Sequence, residues 1–217
     1  MSFLSEPSRK RLVNLEYLLL QDLQNAKENS EDDKKEIITS RELSQRTGWT
    51  DATIRRDISA LGIKCSAKRG YNIKSLYEGI REALISGVSK TTHKCCIVGL
   101  GKIGTALLDY NGFLDAGFSI VAGFDESVNR VEILNASFPL YPASKLEQII
   151  QQELIEYAVL TVPEKDANNY STRLVQAGIL GIVNYTSTVL NLPKNVAVEN
   201  VSLASSLHHL LSKRVET

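Results

Sequence analysis

Cys95-Cys96-Ile97-Val98-Gly99-Leu100-Gly101-Lys102-Ile103-Gly104 is the stretch whose reading decides the fold. Its first four residues form an uninterrupted apolar run, as a strand buried on both faces would. A G-x-G-x-x-G follows at once, with Leu100, Lys102 and Ile103 in its variable places, and then a helix-like Thr105–Tyr110. The motif alone is weak, but a strand before it and a helix after it are the context in which it binds a dinucleotide. Gly99 allows the tight turn, Gly101 lets the backbone approach a pyrophosphate, and Gly104 permits close helix–strand packing. The helix N-terminus then presents N–H groups and a positive dipole end to the phosphates.

Working outward toward the C-terminus, a second apolar run, Phe118–Phe124, ends at Asp125 and is followed by Glu126. Asp125 stands 26 residues beyond Gly99, slightly past the usual offset of about 20 for the acid that accepts the ribose 2′-OH. The polar Asn111–Gly117 connection absorbs the excess. Such an acid repels a 2′-phosphate, so NAD(H) is expected over NADP(H), with Arg130 the one nearby charge of opposite tendency. Strands are expected at Phe138–Tyr141, Tyr157–Val162, Gly181–Tyr185 and Val196–Glu199, with helices from about Ser144 and over Asp166–Ala177. This alternation predicts an α/β fold with an open, mostly parallel, Rossmann-like sheet. Ligands in such sheets lie beyond the carboxyl ends of the strands, which places Thr161-Val162-Pro163 and Asn184-Tyr185 beside the cofactor. A last helix, Ser202–Arg214, carries Leu203, Leu207, Leu210 and Leu211 on one face and is expected to form a dimer; packing on its own domain is the alternative.

Toward the N-terminus, Leu12, Leu15, Leu19 and Leu23 mark a first helix over Leu12–Leu23, and the polar Asn25–Lys35 reads as an exposed loop. Thr39 sits three residues before Glu42, the spacing of a capping box, and opens a short helix to about Arg46. Gly48 ends it, and Thr50-Asp51 caps a second helix, Ala52–Leu61. Two short helices joined by a tight turn make a helix-turn-helix candidate. Ile54, Ile58 and Leu61 form the buried face of the second helix, while Thr53, Arg56 and Ala60 project away, with Arg55 and Ser59 on a flank. A recognition helix needs this division, since arginine can bond guanine edges or neutralise phosphates. Lys64–Tyr71, with Lys68, Arg69 and Tyr71, reads as a β wing lying against the DNA backbone. A further helix over Ser75–Ser86 and the Gly-, Ser- and Thr-rich Ser86–His93 close this part of the chain.

Composition agrees with that division. The 217 residues are 43% hydrophobic and carry no net charge, yet residues 1–90 sum to +3 and residues 91–217 to −3. Residues 50–75 hold six basic side chains against two acidic, a local patch suited to nucleic acid. No apolar run approaches the roughly 20 residues of a membrane helix. Met1–Arg11 has no signal-peptide core, so a cytoplasmic location is expected. Cys65, Cys95 and Cys96, with three histidines, show no metal-ligand spacing; Cys95 and Cys96 read as small buried thiols.

A winged helix joined to a small dinucleotide-binding domain resembles the Rex family of NADH-sensing repressors, and the resemblance covers nearly the whole chain. Thr53-Ile54-Arg55-Arg56-Asp57 with Ser59 is similar to the family's recognition helix. Val98–Gly104, Leu108-Asp109-Tyr110, Phe124-Asp125, Leu160–Pro163, Asn184-Tyr185 and Leu190–Pro193 are similar to its cofactor segments, and Ala204–Leu207 to the start of its swapped C-terminal helix. The resemblance implies a winged-helix domain at 1–88, a Rossmann-like domain at 89–201 and a dimerisation helix at 202–217. It also implies a homodimer that holds double-stranded operator DNA in the apo or NAD⁺ form and releases it when NADH binds, with Tyr110 among the cofactor residues and no catalytic step. Some positions depart from the family. Its Asp before the last helix and its Arg in the first helix, which pair in one state, correspond here to Ser202 and Tyr17. The aromatic residue after that Asp is Leu203, and a wing glycine is Cys65. These departures predict a divergent member whose NADH response is weakened or differently wired. The competing reading is an NAD-dependent oxidoreductase with an accessory helical domain. Its only support is the Tyr141-x-x-x-Lys145 spacing, which Pro142 interrupts before half the sheet is built.

Overall fold

Leu12, Leu15 and Leu19, the stripe that marks the first helix, are completely buried in the computed structural model, which describes residues 4–28, 36–63, 70–85, 92–110 and 112–214. Helix α1 (Glu6–Glu28) extends beyond that stripe at both ends, because Glu, Arg, Lys, Gln and Ala favour helix where no apolar side chain marks it. Residues 25–28, expected in a loop, are therefore helical, and residues 29–35 lie outside the described residues. Strand β1 (Ile37–Ile38) pairs antiparallel with β2 (Tyr71–Asn72), Ile38 opposite Tyr71. Between them run α2 (Ser40–Thr47) and α3 (Asp51–Ala60), and α4 (Ile73–Leu84) follows and packs along α1.

The capping box forms: Thr39 Oγ1 accepts from the Glu42 N–H, and the Glu42 carboxylate accepts from the Thr39 N–H. Gly48, at φ 74°, ends α2 in the left-handed conformation, and Thr50 caps α3. Ile38, Leu43, Ile54, Ile58, Tyr71, Leu76 and Ile80 join the α1 leucines in one core. Two ion pairs fasten α3 and α2 to α1: Arg11 grips Asp57 at 2.6 and 3.0 Å, and Arg46 grips Asp22 at 2.6 and 2.8 Å. These residues belong to the first of two compact units, Met1–Lys90; the second is Thr91–Thr217.

The second unit is built on six parallel strands: β3 (His93–Val98), β4 (Phe118–Asp125), β5 (Leu140–Pro142), β6 (Tyr157–Leu160), β7 (Gly181–Asn184) and β8 (Ala197–Asn200). Their order across the sheet is β5-β4-β3-β6-β7-β8. It reverses between β3 and β6, where Val98 pairs with Leu160. The connections carry α5 (Lys102–Ala106), α6 (Gly112–Asp115), α7 (Val128–Ile133), α8 (Leu146–Glu153) and α9 (Ala167–Ala177), and α10 (Leu203–Arg214) ends the described chain. Side chains alternate across the sheet. Cys96, Val98, Phe124 and Leu160 enter one core with α8 and α9, while Cys95, Ile97 and Val159 enter another with Leu100 and Leu108. Burial pushes the Cys95 thiol up to about 12 and that of Cys96 well above its ordinary value.

Several boundaries differ from expectation. The helix after the glycine motif starts at Lys102 rather than Thr105 and closes after Ala106 in a tight turn, with the Leu108 and Tyr110 N–H groups each reaching back three residues. The third strand is confined to Leu140–Pro142 because it is a sheet edge with three partner positions on β4; Phe138 packs into a core instead. No helix among the described residues is long and apolar enough to cross a membrane.

Candidate functional site

The order reversal at β3 and β6 opens a crevice at their carboxyl ends, where such sheets receive ligands. The glycine turn after β3 stands there against the segment that follows β6. Gly99, at φ 95°, would place a Cβ 2.8 Å from the Thr161 carbonyl carbon and the Val162 nitrogen. A Cβ on Gly104 would lie 1.9 Å from the Gly99 oxygen. Both positions therefore exclude a side chain. Gly101 differs, for a Cβ there meets no atom within 4 Å. The space before it is open, and the first-turn N–H groups of α5 adjoin it without intrahelical acceptors.

Asp125, at the carboxyl end of β4, is 6% exposed. Its Oδ2 accepts from the Leu100 N–H at 2.7 Å and its Oδ1 from the Ser127 N–H at 2.8 Å, while Arg130 Nη1 stands 3.4 Å from each. A carboxylate has about four lone-pair sites, and these four contacts occupy them; a sugar hydroxyl is accepted only where Arg130, half-exposed and at 3.4 Å, gives way. Arg130 faces this carboxylate, so its charge is partly spent before any phosphate arrives. A cavity of about 80 Å³ adjoins Asp125 and is lined by Gly99, Glu126, Arg130, Val162, Pro163, Asp166 and Tyr170. Tyr170 donates to Glu126 Oε1 at 2.9 Å.

Some expected contacts are corrected. Leu100 is buried and its N–H is committed to Asp125, so neither its side chain nor its amide meets a ligand. Thr161 Oγ1 donates toward the Gly99 and Val98 carbonyls, holding the turn rather than lining it. Asn184 is fully buried: its amide donates to Thr188 O and Asn200 Oδ1, and its oxygen accepts from the Thr186 N–H and hydroxyl. That exhausts its polar capacity, leaving it to shape the loop after β7. Tyr185 is half-buried against one core. Tyr110 is exposed and meets Phe113 edge to face at 5.1 Å. Lys102 and Ile103 are exposed on the first turn of α5, and Val162 and Pro163 reach the cavity. Tyr141 stacks on Phe124 at 5.9 Å, which accounts for it without a Tyr/Lys proton relay. Among the described residues no three His, Cys, Asp or Glu side chains are grouped to hold a metal ion.

In the first unit, α3 buries Ile54 and Ile58 and exposes Arg55, Arg56, Ser59 and Ala60, with Thr53 half-exposed. Arg55 is held by Asp51 at 2.7 Å and donates to Ser40 Oγ at 3.0 Å. Arg56 is exposed and makes no ion pair among the described residues. Asp57, which looks like another surface charge, is the buried partner of Arg11. Tyr71 corrects the expected wing contact: it is 5% exposed, its ring belonging to the core. Lys68 and Arg69 lie outside the described residues. A wide surface hollow of about 550 Å³ between α1 and α2 is lined by Tyr17, Leu18, Arg46 and Trp49 among others; it has no glycine turn and no strand end.

Comparison with known proteins bears on both units. A family model described as a CoA binding domain matches residues 90–188. The redox-sensing transcriptional repressor Rex of Carboxydothermus hydrogenoformans is 34% identical over 80% of this chain and 82% of its own length. Among solved structures, that of RSP with β-NAD⁺ and operator DNA aligns at a TM-score of 0.82 and 29% identity, covering 100% of this chain and 94% of that one. That of RSP with β-NADH aligns at 0.82 and 29%, covering 100% and 96%.

Proposed function

Because the chain belongs to the Rex family of redox-sensing transcriptional repressors, we propose that it holds operator DNA and releases it when NADH binds at the glycine turn. The observation that carries this reading is the pairing of an open Gly101 with a buried, amide-held Asp125 at the β3/β6 crevice. The dinucleotide serves as effector, supplying differential binding free energy rather than a redox reaction. Gly101 and the first turn of α5 receive the pyrophosphate, and Asp125 takes the adenosine ribose hydroxyls, which favours NAD(H) over NADP(H). Release requires that NADH bind the DNA-incompetent state more tightly, since equal affinity for both states would shift nothing.

The domains of this reading are a winged helix at 1–88, a Rossmann-like domain at 89–201 and a dimerisation helix at 202–217. In it α3 enters the major groove, with Arg56 foremost because Arg55 is already engaged by Asp51 and Ser40. Lys68 and Arg69 meet the phosphate backbone from the wing. Helix α10, with Leu203, Leu207, Leu210 and Leu211 all more than half exposed, is completed by a second copy of the chain, in a swapped homodimer. Ser202 and Tyr17 cannot form an ion pair, so the coupling from cofactor to DNA runs through other contacts.

The test is to titrate NADH and NAD⁺ separately into the protein bound to a genomic operator fragment. Release by NADH where NAD⁺ does little supports the reading. Binding of NADH without release would reject the switch while leaving the cofactor site. Arg56→Ala is expected to lose sequence discrimination, whereas Lys68→Ala weakens all duplexes alike.

A further inference from the structure

The Tyr170–Glu126 hydrogen bond has no part in the contacts assigned above. It joins the first turns of α9 to the residue that follows Asp125, across a cavity that both side chains line. Tyr170 is 4% exposed, with the Arg173 guanidinium 5.3 Å from its ring centre. Arg173 is itself held by Glu147 and donates to the Ala143 carbonyl. The phenol is therefore fixed in place, and burial, reinforced by Glu126, pushes its pKa up, so it stays a donor. Glu126 is exposed, yet its Oε1 is pinned by that donor; its Oε2 has no hydrogen bond among the described residues.

The position of this carboxylate follows from the dinucleotide reading, on which the inference rests. With the ribose at Asp125 and the pyrophosphate at Gly101, the base leaves the sugar on the side away from the phosphates. That side is the cavity lined by Glu126, Arg130, Pro163, Asp166 and Tyr170, in which the Arg130 guanidinium is turned to Asp125. The ionised carboxylates there only accept hydrogen bonds. Adenine offers a 6-amino donor at its edge, whereas a 6-oxo purine offers an acceptor that a carboxylate repels. We propose that Glu126, positioned by the Tyr170 hydroxyl, selects adenine in the bound dinucleotide by accepting from its 6-amino group.

The experiment compares the affinity of the full-length protein for NADH and for reduced nicotinamide hypoxanthine dinucleotide, which carries oxygen for the 6-amino group and a hydrogen on N1. The fluorescence of the shared dihydronicotinamide reads both. A hydrogen bond to a charged group predicts a preference for NADH of about 10- to 100-fold. Glu126→Gln, whose amide can donate to an oxo group, should bring that ratio near unity or below it. Tyr170→Phe keeps the ring but frees Glu126, and should lower the ratio severalfold while the thermal midpoint changes little. A merely structural tyrosine would lower the midpoint or both affinities together without moving the ratio. Equal wild-type affinities, or a preference that survives Glu126→Gln, would overturn the proposal while leaving the dinucleotide site intact. If neither dinucleotide binds, the functional reading fails and the proposal falls with it.

Discussion

Gly101 and Gly104 lie three residues apart in one motif, and substitution by alanine should separate them completely. At Gly104 the new methyl would stand 1.9 Å from the Gly99 oxygen and 2.9 Å from Thr161 Oγ1. Restoring ordinary contact requires roughly 1.5 Å of movement between α5 and the turn. Overpacking of this kind costs about 1–3 kcal/mol, which lowers the melting temperature by about 4–12 °C for a unit of this size. At Gly101 φ is −72°, open to any residue, and a methyl meets no protein atom. There Gly101→Ala should leave the fold unchanged or stabilise it by up to about 1 kcal/mol, because the unfolded chain loses freedom. The same methyl stands where the pyrophosphate must approach, so dinucleotide affinity should fall at least about tenfold, or 1.4 kcal/mol. Scanning calorimetry gives the first quantity and fluorescence titration with NADH the second. A Gly101→Ala protein that melts normally and binds NADH undiminished would refute the placement of the pyrophosphate. An unchanged midpoint for Gly104→Ala would refute the steric argument.

Further outcomes can be checked independently. Asp57→Ala strands Arg11, whose side chain is a quarter exposed; partial solvation puts the loss near 2–3 kcal/mol, below that for a fully buried pair, measured by urea unfolding of the first unit. Arg173 holds the Glu147 carboxyl below its usual range, chiefly by hydrogen bonding. The folded value is the lower one, so this contribution is present above the ordinary carboxylate pKa and is lost as pH falls through the depressed value. Glu147→Gln should remove that part of the acid dependence of the melting temperature below about pH 4.5. If α10 carries the proposed dimer, Leu207→Asp combined with Leu211→Asp should halve the mass in sedimentation equilibrium. A dimer that survives both charges would mean that α10 is not the contact.

Local features were the most legible in the chain. The capping box at Thr39 and Glu42, the left-handed Gly48 and the strand–turn–helix around Gly99–Gly104 each rest on residues a few positions apart, whose geometry the backbone alone enforces. What stayed hidden depends on partners distant in sequence. Asp57 sits in the stretch similar to a recognition helix, and nothing near it in sequence announces Arg11, 46 residues earlier, as its partner. Asn184 looked like a ligand contact because it ends a strand, but its four hydrogen bonds reach along the loop to Thr188 and across to Asn200. Tyr71 carries a polar tip that suits a wing, while its place opposite Ile38 turns the ring inward. Glu126 was visible only as the residue after Asp125; nothing near it announced a tyrosine 44 residues away.

Cys95 and Cys96 point into opposite cores of one strand, and this bears on what kind of redox chemistry can reach the protein. With burial pushing the Cys95 thiol up to about 12, it stays protonated at neutral pH, and oxidants attack the thiolate. Cys96 is more strongly protected still. Peroxide or glutathione disulfide therefore finds no entry at β3, beside the glycine turn. Under the proposed function the redox state of the cell is received at this strand through occupancy, which reverses as fast as a ligand leaves, and not through sulfur oxidation.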